Sequence, residues 1–338
     1  MTSHKQSGLS VIELVVAMVI SLLVLGGVYA IFQSNSSSYR VQEELSRLQE
    51  NGRYAIQILT RDIRMAGFYG CATRTVNLLN TLNVNSTNYL WGKFDSPLRG
   101  FEAIPPDEWN EPLDATIIDA VKNSDVLCIR RAGNIPYSIT AHGNGTDPLL
   151  LDGYAGLSRN DVVLASDCSD NAAIFQITNT PGPIGGVGHL VEFPPDEPPG
   201  NKSMDLGKDF TGGEITSLAT TSYFVRKNTA GIPALYRRVG AGNSEELVEG
   251  VENMQILYGE DTNNDGDVDR YHDAAGIGSW DNVLSVRIGL LLMTVNEIHD
   301  VEPDPGPYIL AGTPVIPPAD RRLRRVVETT IGIRNRMQ

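Results

Sequence analysis

The chain has 338 residues, room for two ordinary domains or one large domain with an extension, and enough to bury a sizeable core. Its 27 Lys and Arg stand against 41 Asp and Glu, a net charge of −14, which argues against a nucleic-acid-binding surface. With 41% hydrophobic residues, 33 Gly and 19 Pro the composition suits a loop-rich folded protein, and three Cys exclude a multi-disulfide scaffold while allowing one bridge in an oxidising compartment.

From Leu9 to Phe32 runs an apolar stretch of 24 residues whose only formal charge is Glu13. At about 1.5 Å per residue it spans a hydrocarbon core of roughly 30 Å. Lys5 is the fixed positive charge ahead of it, which places the first residues on the cytoplasmic side and exports the rest. A secretory signal peptide would have an apolar core of about 7–15 residues followed by a small-residue cleavage site; here Gln33 and SNSSSYR follow. An ionised Glu13 inside the apolar run costs roughly 2.5–3.5 kcal/mol unless a cation meets it. Cleavage after Gly8 would create that cation as the α-amino group of Leu9, on the same helix end or on a neighbouring subunit. The stretch GLSVIELVVAMVISLLVLGG resembles the class III leader and N-terminal helix of type IV pilins and type II secretion pseudopilins. The resemblance implies a leader peptide over 1–8, cleavage by a prepilin peptidase between Gly8 and Leu9, N-methylation of Leu9, and an assembly role for Glu13. Leu9 stands where Phe or Met is commoner.

Between Gln33 and Met65 only Gly52 interrupts a helical pattern, and Val41, Leu45, Leu48, Ala55, Ile58, Leu59, Ile63 and Ala66 recur at spacings of three and four. This predicts one rod with an inner half, 9–32, apolar all round, and an amphipathic outer half, 33–68, that lays its stripe on a globular domain. Gly26 and Gly27 mark either a place where the helix can loosen or a close helix contact in lipid. Beyond Gly67 the period changes to two, and strands are predicted at 125–132, 161–167, 173–178, 222–227, 234–239, 253–259, 284–293 and 326–334. The segments 222–227 and 234–239 read as a hairpin, and the proline-rich stretches 104–112, 194–199 and 303–318 as surface loops. Residues 69–338 are expected to form one elaborated, mainly β domain, giving an α+β protein.

DTNNDGDVD places Asp261, Asn263, Asp265, Asp267 and Asp269 at alternate positions with Gly266 sixth, matching the first nine positions of an EF-hand loop. Such a set of oxygens suits a structural Ca²⁺ ion. The twelfth position is His272 rather than Glu, so either Asp273 substitutes or the loop is a shorter kind without flanking helices; a solvated turn without an ion is the plainer reading. Cys71 and Cys168 sit in predicted loops and Cys128 in a predicted strand. Three pairings are open, and the loop settings favour Cys71–Cys168 with Cys128 left as a buried thiol. Five His show no metal-protease spacing, and no nucleophile elbow, phosphate loop or dinucleotide fingerprint occurs, so no enzyme activity is expected. Arg321, Arg322, Arg324 and Arg325 form a basic run that reads as a solvated strand entrance or a dock for an acidic partner.

Five blocks along the chain, 49–71, 222–238, 246–271, 280–294 and 324–336, resemble the type IV pilus minor pilin family PilW. The resemblance implies a pilin-like fold, a long N-terminal helix packed on an antiparallel sheet. It implies a low-abundance subunit, acting with other minor pilins, the major pilin and the inner-membrane assembly platform, that primes pilus assembly and sits at the tip. It would cross the inner membrane once, with the globular domain in the periplasm, and then move to the pilus and cell surface. A minor pseudopilin of type II secretion and a tip adhesin are the alternatives. Asp261 to Asp269 inherit no role from the resemblance.

Overall fold

The computed structural model describes residues 11–72, 77–83, 96–106, 108–133, 135–192, 199–240, 242–298 and 301–336. Helix α1, Val11–Arg64, runs unbroken for 54 residues, about 80 Å at 1.5 Å per residue. Every residue of its inner half from Val11 to Phe32 is exposed. Its outer half buries Leu48, Gly52, Ala55, Leu59, Asp62 and Ile63, one stripe at spacings of three and four. The helix ends at Arg64, about a turn short of the expected boundary at residue 68. Gly67 adopts φ +72°, open to glycine without a Cβ clash, and its N–H passes to the Arg130 carbonyl at 2.9 Å.

The outer half of α1 packs on a four-stranded antiparallel sheet ordered Arg270–His272, Val251–Glu260, Val283–Met293, Arg324–Gly332. Gly52 lies close against the sheet: a Cβ there would lie 3.1 Å from Val327 and 3.4 Å from Leu292. On the opposite face lies a hairpin, Tyr308–Leu310 with Thr313–Val315, whose Ala311 amide nitrogen would stand 2.9 Å from a Cβ at Gly289. This corrects the expectation of loop throughout 303–318. Pro314 is tolerated because a two-stranded ribbon is all edge.

A second, larger sheet of ten strands is organised by the 14-residue strand Glu214–Lys227. Its second half pairs with Val126–Ala132 on one side and Pro233–Val239 on the other; its first half pairs with Val162–Ser166 and Tyr137–Ala141. One edge pair, Asn77–Asn80 with Asn171–Gln176, is parallel, so the protein is mostly rather than wholly antiparallel. The eight predicted strands all appear. The 222–227 segment is the far half of the longer strand, and the hairpin with Pro233–Val239 forms as read.

Three elements share the main core: α1 contributes Leu48, Ala55, Leu59 and Ile63, the four-stranded sheet Met254, Ile256, Ile288, Leu290 and Leu292, and the large sheet Leu127, Ile129, Tyr223 and Val225. Asp125, 2% exposed, stitches the sheets together: its carboxylate accepts the Ala103 amide at 2.9 Å and the Ile256 amide at 2.8 Å, and its own N–H reaches the Met254 carbonyl at 2.8 Å. A separate core, including Ile139, Leu149, Val163, Phe175, Val187, Phe210 and Ile215, fills a distal lobe at the other end of the large sheet.

Candidate functional site

Three features concern function: the helix, its seat on the sheets, and the acidic loop. Gly8 and Leu9 lie outside the described residues. Glu13 is exposed in the first turn of α1 as described. The helix is long and apolar enough to cross a membrane, with a mean hydropathy of 2.7 over its best 18 residues and none of that window buried. An apolar surface of this size, left bare by its own chain, calls for lipid or other helices as its surroundings.

The seat of α1 is both apolar and polar. Asp62, 6% exposed, accepts the Tyr223 hydroxyl on its Oδ2, and Arg131 Nη2 stands 3.8 Å from its Oδ1. Burial, together with the carboxylate of Asp62, pushes the Tyr223 phenol well above its usual range, so it stays a donor. Just beyond the helix, Cys71 forms a disulfide with Cys168, tying the helix end to the turn between Val162–Ser166 and Asn171–Gln176. Glu214 accepts the Cys71 amide. Cys128 is a buried thiol beside the Ser222 hydroxyl at 3.1 Å, pushed up to about 12 by desolvation.

The acidic loop joins two strands rather than two helices. Tyr258, Gly259 and Glu260 pair with His272, Tyr271 and Arg270, so the twelfth position lies in the sheet and not in the loop. Asp273 caps the short 3-10 turn Ala274–Gly276, its Oδ1 accepting the Gly276 amide at 2.8 Å. Asp261, 5% exposed, organises the turn: Oδ1 accepts the amides of Asn263 at 3.2 Å, Asn264 at 2.6 Å and Asp265 at 3.3 Å, and Oδ2 that of Gly266 at 2.9 Å. Gly266 takes φ +93°, the left-handed turn for which the sixth position needs glycine. Thr262 donates its amide and hydroxyl to Asp269 Oδ2 at 2.7 and 2.6 Å, which holds the Asp269 carboxyl below its usual range. Asn263, Asp265, Asp267 and Asp269 are exposed. The donor set is all oxygen and fits a hard divalent cation. Among the described residues, however, the group of three ligating side chains already gathered is Cys71, Cys168 and Glu214, two of which are spent on the disulfide.

Arg322 and Arg324, half of the basic run, are paired inside the chain, while Arg321 and Arg325 are exposed. Arg324, with a fully buried side chain, is bidentate to Glu252 at 2.7 and 3.1 Å and reaches Asp320 at 2.8 Å; Arg322 also meets Asp320 at 2.8 Å. Arg324 is therefore neither solvated nor open to a partner, and Arg322, with a side chain 22% exposed, is held by the same carboxylate. Sequence patterns gave no warning of a buried carboxyl pair. Glu102 is pushed up to about 7 by burial and by Asp273, and Asp125 is raised well above its usual range by burial and by Glu102.

With this geometry in view, two family models match the chain. Residues 3–29 match the prokaryotic N-terminal methylation motif, and residues 222–335 match the type IV pilus-assembly protein W family. The two matches together support a PilW-like minor pilin of a type IV pilus. The longer match spans the far half of the central strand, the acidic loop and the whole four-stranded sheet on which α1 sits. The distal lobe falls outside both matches. No curated protein matches the chain. Among solved structures, the type IV-like pilin TTHA1219 from Thermus thermophilus aligns over 88% of this chain and 98% of its own, at 11% identity and a TM-score of 0.34, too loose a likeness to carry an argument. The pilin architecture stands instead on the chain's own helix and mostly antiparallel sheets; the apolar helix and the leader motif support a membrane-anchored pilin, and the family match supports interaction with other pilus components.

Proposed function

We propose that this PilW-like pilin is cut between Gly8 and Leu9 by a prepilin peptidase, is methylated on Leu9, and joins other minor pilins on the inner-membrane assembly platform to prime the pilus it then tips. The observation that carries the reading is the bare helix: an apolar surface exposed from Val11 to Phe32, interrupted by Glu13, on a chain matching the methylation motif. In the membrane, Glu13 needs a cation, and the Leu9 amine of the same or a neighbouring subunit supplies it. Docking then joins two charges that are each costly alone in lipid, and extraction into the fibre exchanges lipid contacts for helix contacts. The globular domain faces the periplasm before assembly and the cell exterior after it. Its role is structural rather than catalytic.

The Asp261–Asp269 loop holds Ca²⁺ in this reading. Asp261 is already oriented by four amides, and Asn263, Asp265, Asp267 and Asp269 supply the remaining oxygen ligands. The ion would neutralise four carboxylates crowded into one turn and pin the hairpin that ends the four-stranded sheet.

Two substitutions in the native host test the assembly role. Gly8→Leu blocks cleavage, leaving a polypeptide that still carries residues 1–8, and abolishes its contribution to surface pili. Glu13→Ala is cut normally but reduces piliation. Normal piliation by the Gly8→Leu strain refutes the proposal. Blocked exoprotein release with pili and twitching intact would instead assign the chain to type II secretion.

A further inference from the structure

We propose that His142 and His189 form an acid-sensitive lock in the distal lobe, holding three loops together at neutral pH and releasing them on acidification. Both side chains are sealed from water, at 1% and 2% exposure. Each has one nitrogen engaged. His142 Nδ1 accepts the Phe210 amide hydrogen at 3.1 Å, and His189 Nε2 donates to the Asp147 carbonyl at 2.8 Å. The remaining nitrogens, His142 Nε2 and His189 Nδ1, are buried without a hydrogen bond of good geometry, although carbonyls lie near both rings, that of Asp147 beside His142 and that of Met204 beside His189. The partners dictate the protonation state. A nitrogen that accepts an N–H cannot carry a proton, so His142 is neutral with its hydrogen on Nε2. A nitrogen that meets a carbonyl must donate, so His189 carries a hydrogen on Nε2, and burial disfavours a second one on Nδ1.

A proton added to His142 would go to Nδ1, against the Phe210 N–H, and would break that bond and strand a buried amide. A proton added to His189 would place a charge at a 2%-exposed site, with its ring centroid 6.0 Å from the other imidazole and 5.2 Å from the Phe175 ring. The charged groups facing the pair come from its own loops. Asp147 and Asp209 favour the charged form of His142, while His189 opposes it; Asp147 also favours the charged form of His189. Desolvation exceeds all of these and lowers both imidazoles below their usual value. The bonds at stake hold the lobe shut. His142 sits in a loop whose N–H reaches Thr211 Oγ1 at 2.9 Å and whose Gly145 carbonyl accepts the Leu206 amide at 2.8 Å, and His189 follows Val187, which pairs with Leu149. The stretches 142–149, 187–189 and 204–212 therefore separate together. The inference goes beyond the pilin reading, since the lobe lies outside both family matches.

Hydrogen–deuterium exchange on the full chain in detergent, corrected for intrinsic rates, tests this. An open lobe charges its histidines at about 6.5 and the closed lobe at lower pH, so opening should rise on acidification, by at most about thirtyfold per histidine at pH 5.0. Protection at Phe210, Ile139 and Val187 should fall accordingly while the strand Val283–Met293 stays protected. In the double variant His142→Asn/His189→Gln, the Asn oxygen still accepts from Phe210 and the Gln amide still donates to Asp147, but neither takes a proton; its protection should be flat with pH. Loss of protection at the same pH in the variant, or in both sheets together, overturns the proposal. Should the variant fail to fold, the ring resonances of the wild-type chain decide: titration of both histidines at or above pH 6.5 overturns it.

Discussion

Replacing Leu59 by Ala should separate the two halves of the helix energetically. Leu59 is fully buried against both sheets, and the change removes three carbons, a transfer loss of about 2.4 kcal/mol at roughly 0.8 per methylene. The main core is closed around it by helix and sheets, so the cavity cannot collapse freely and the total should reach about 3–5 kcal/mol. Leu23→Ala removes the same atoms from the same helix at a position 72% exposed, and should leave domain stability within about 0.5 kcal/mol. Urea unfolding of the processed full chain in mild detergent, followed by the fluorescence of Trp109 and Trp280 in the β domain, reads both. Equal losses in the two variants, or a loss below about 1 kcal/mol at position 59, would refute the division of α1 into a packed outer half and a bare inner half.

Calcium at a hundredfold excess over its dissociation constant should stabilise the domain by about 2.7 kcal/mol, reversed by EGTA and lost in Asp267→Ala, an exposed position outside the amide bonds of Asp261; identical melting with and without the ion rejects the site. The disulfide closes a sequence separation of 97 residues, and Cys71→Ser should cost on the order of 4–5 kcal/mol by the chain-entropy argument, measured by the same urea titration. Glu102 binds its proton more tightly in the folded state, where it titrates at about 7, than in the unfolded chain at about 4.3. Its contribution to stability is therefore complete below about pH 4.3 and lost as pH rises towards and through 7. Glu102→Gln should flatten the stability–pH curve in that window, and an unchanged slope there counts against a strained carboxyl at this position.

Much of the fold was legible because the signals are local. A run from Leu9 to Phe32 without a second charge, and then a stripe at spacings of three and four, specify the helix and its change of character near Gln33. Val126–Ala132, Val251–Glu260 and Val283–Met293 were readable as apolar, β-branched runs between turn residues. Glu214–Thr221 was not, because Thr and Ser fill positions that are buried only through pairing on both sides of the strand. Short strands such as Leu98–Phe101 and Glu245–Glu249 carry too few residues to show a period and exist because a longer neighbour offers its edge. The basic run misled for a related reason: whether an arginine is solvated depends on Glu252 and Asp320, one of them 72 residues away.

The amino-acid order by itself determined which stretch can sit in a membrane and how an acidic turn must curl, since hydrophobicity and glycine's backbone freedom act within a few residues. Only the tertiary structure decided that Asp125 would bind two sheets, that Arg324 would be sealed beside Glu252, and that two histidines 47 positions apart would be buried side by side. Desolvation and pairing across the sheets are properties of the assembled core, and no window of sequence contains them.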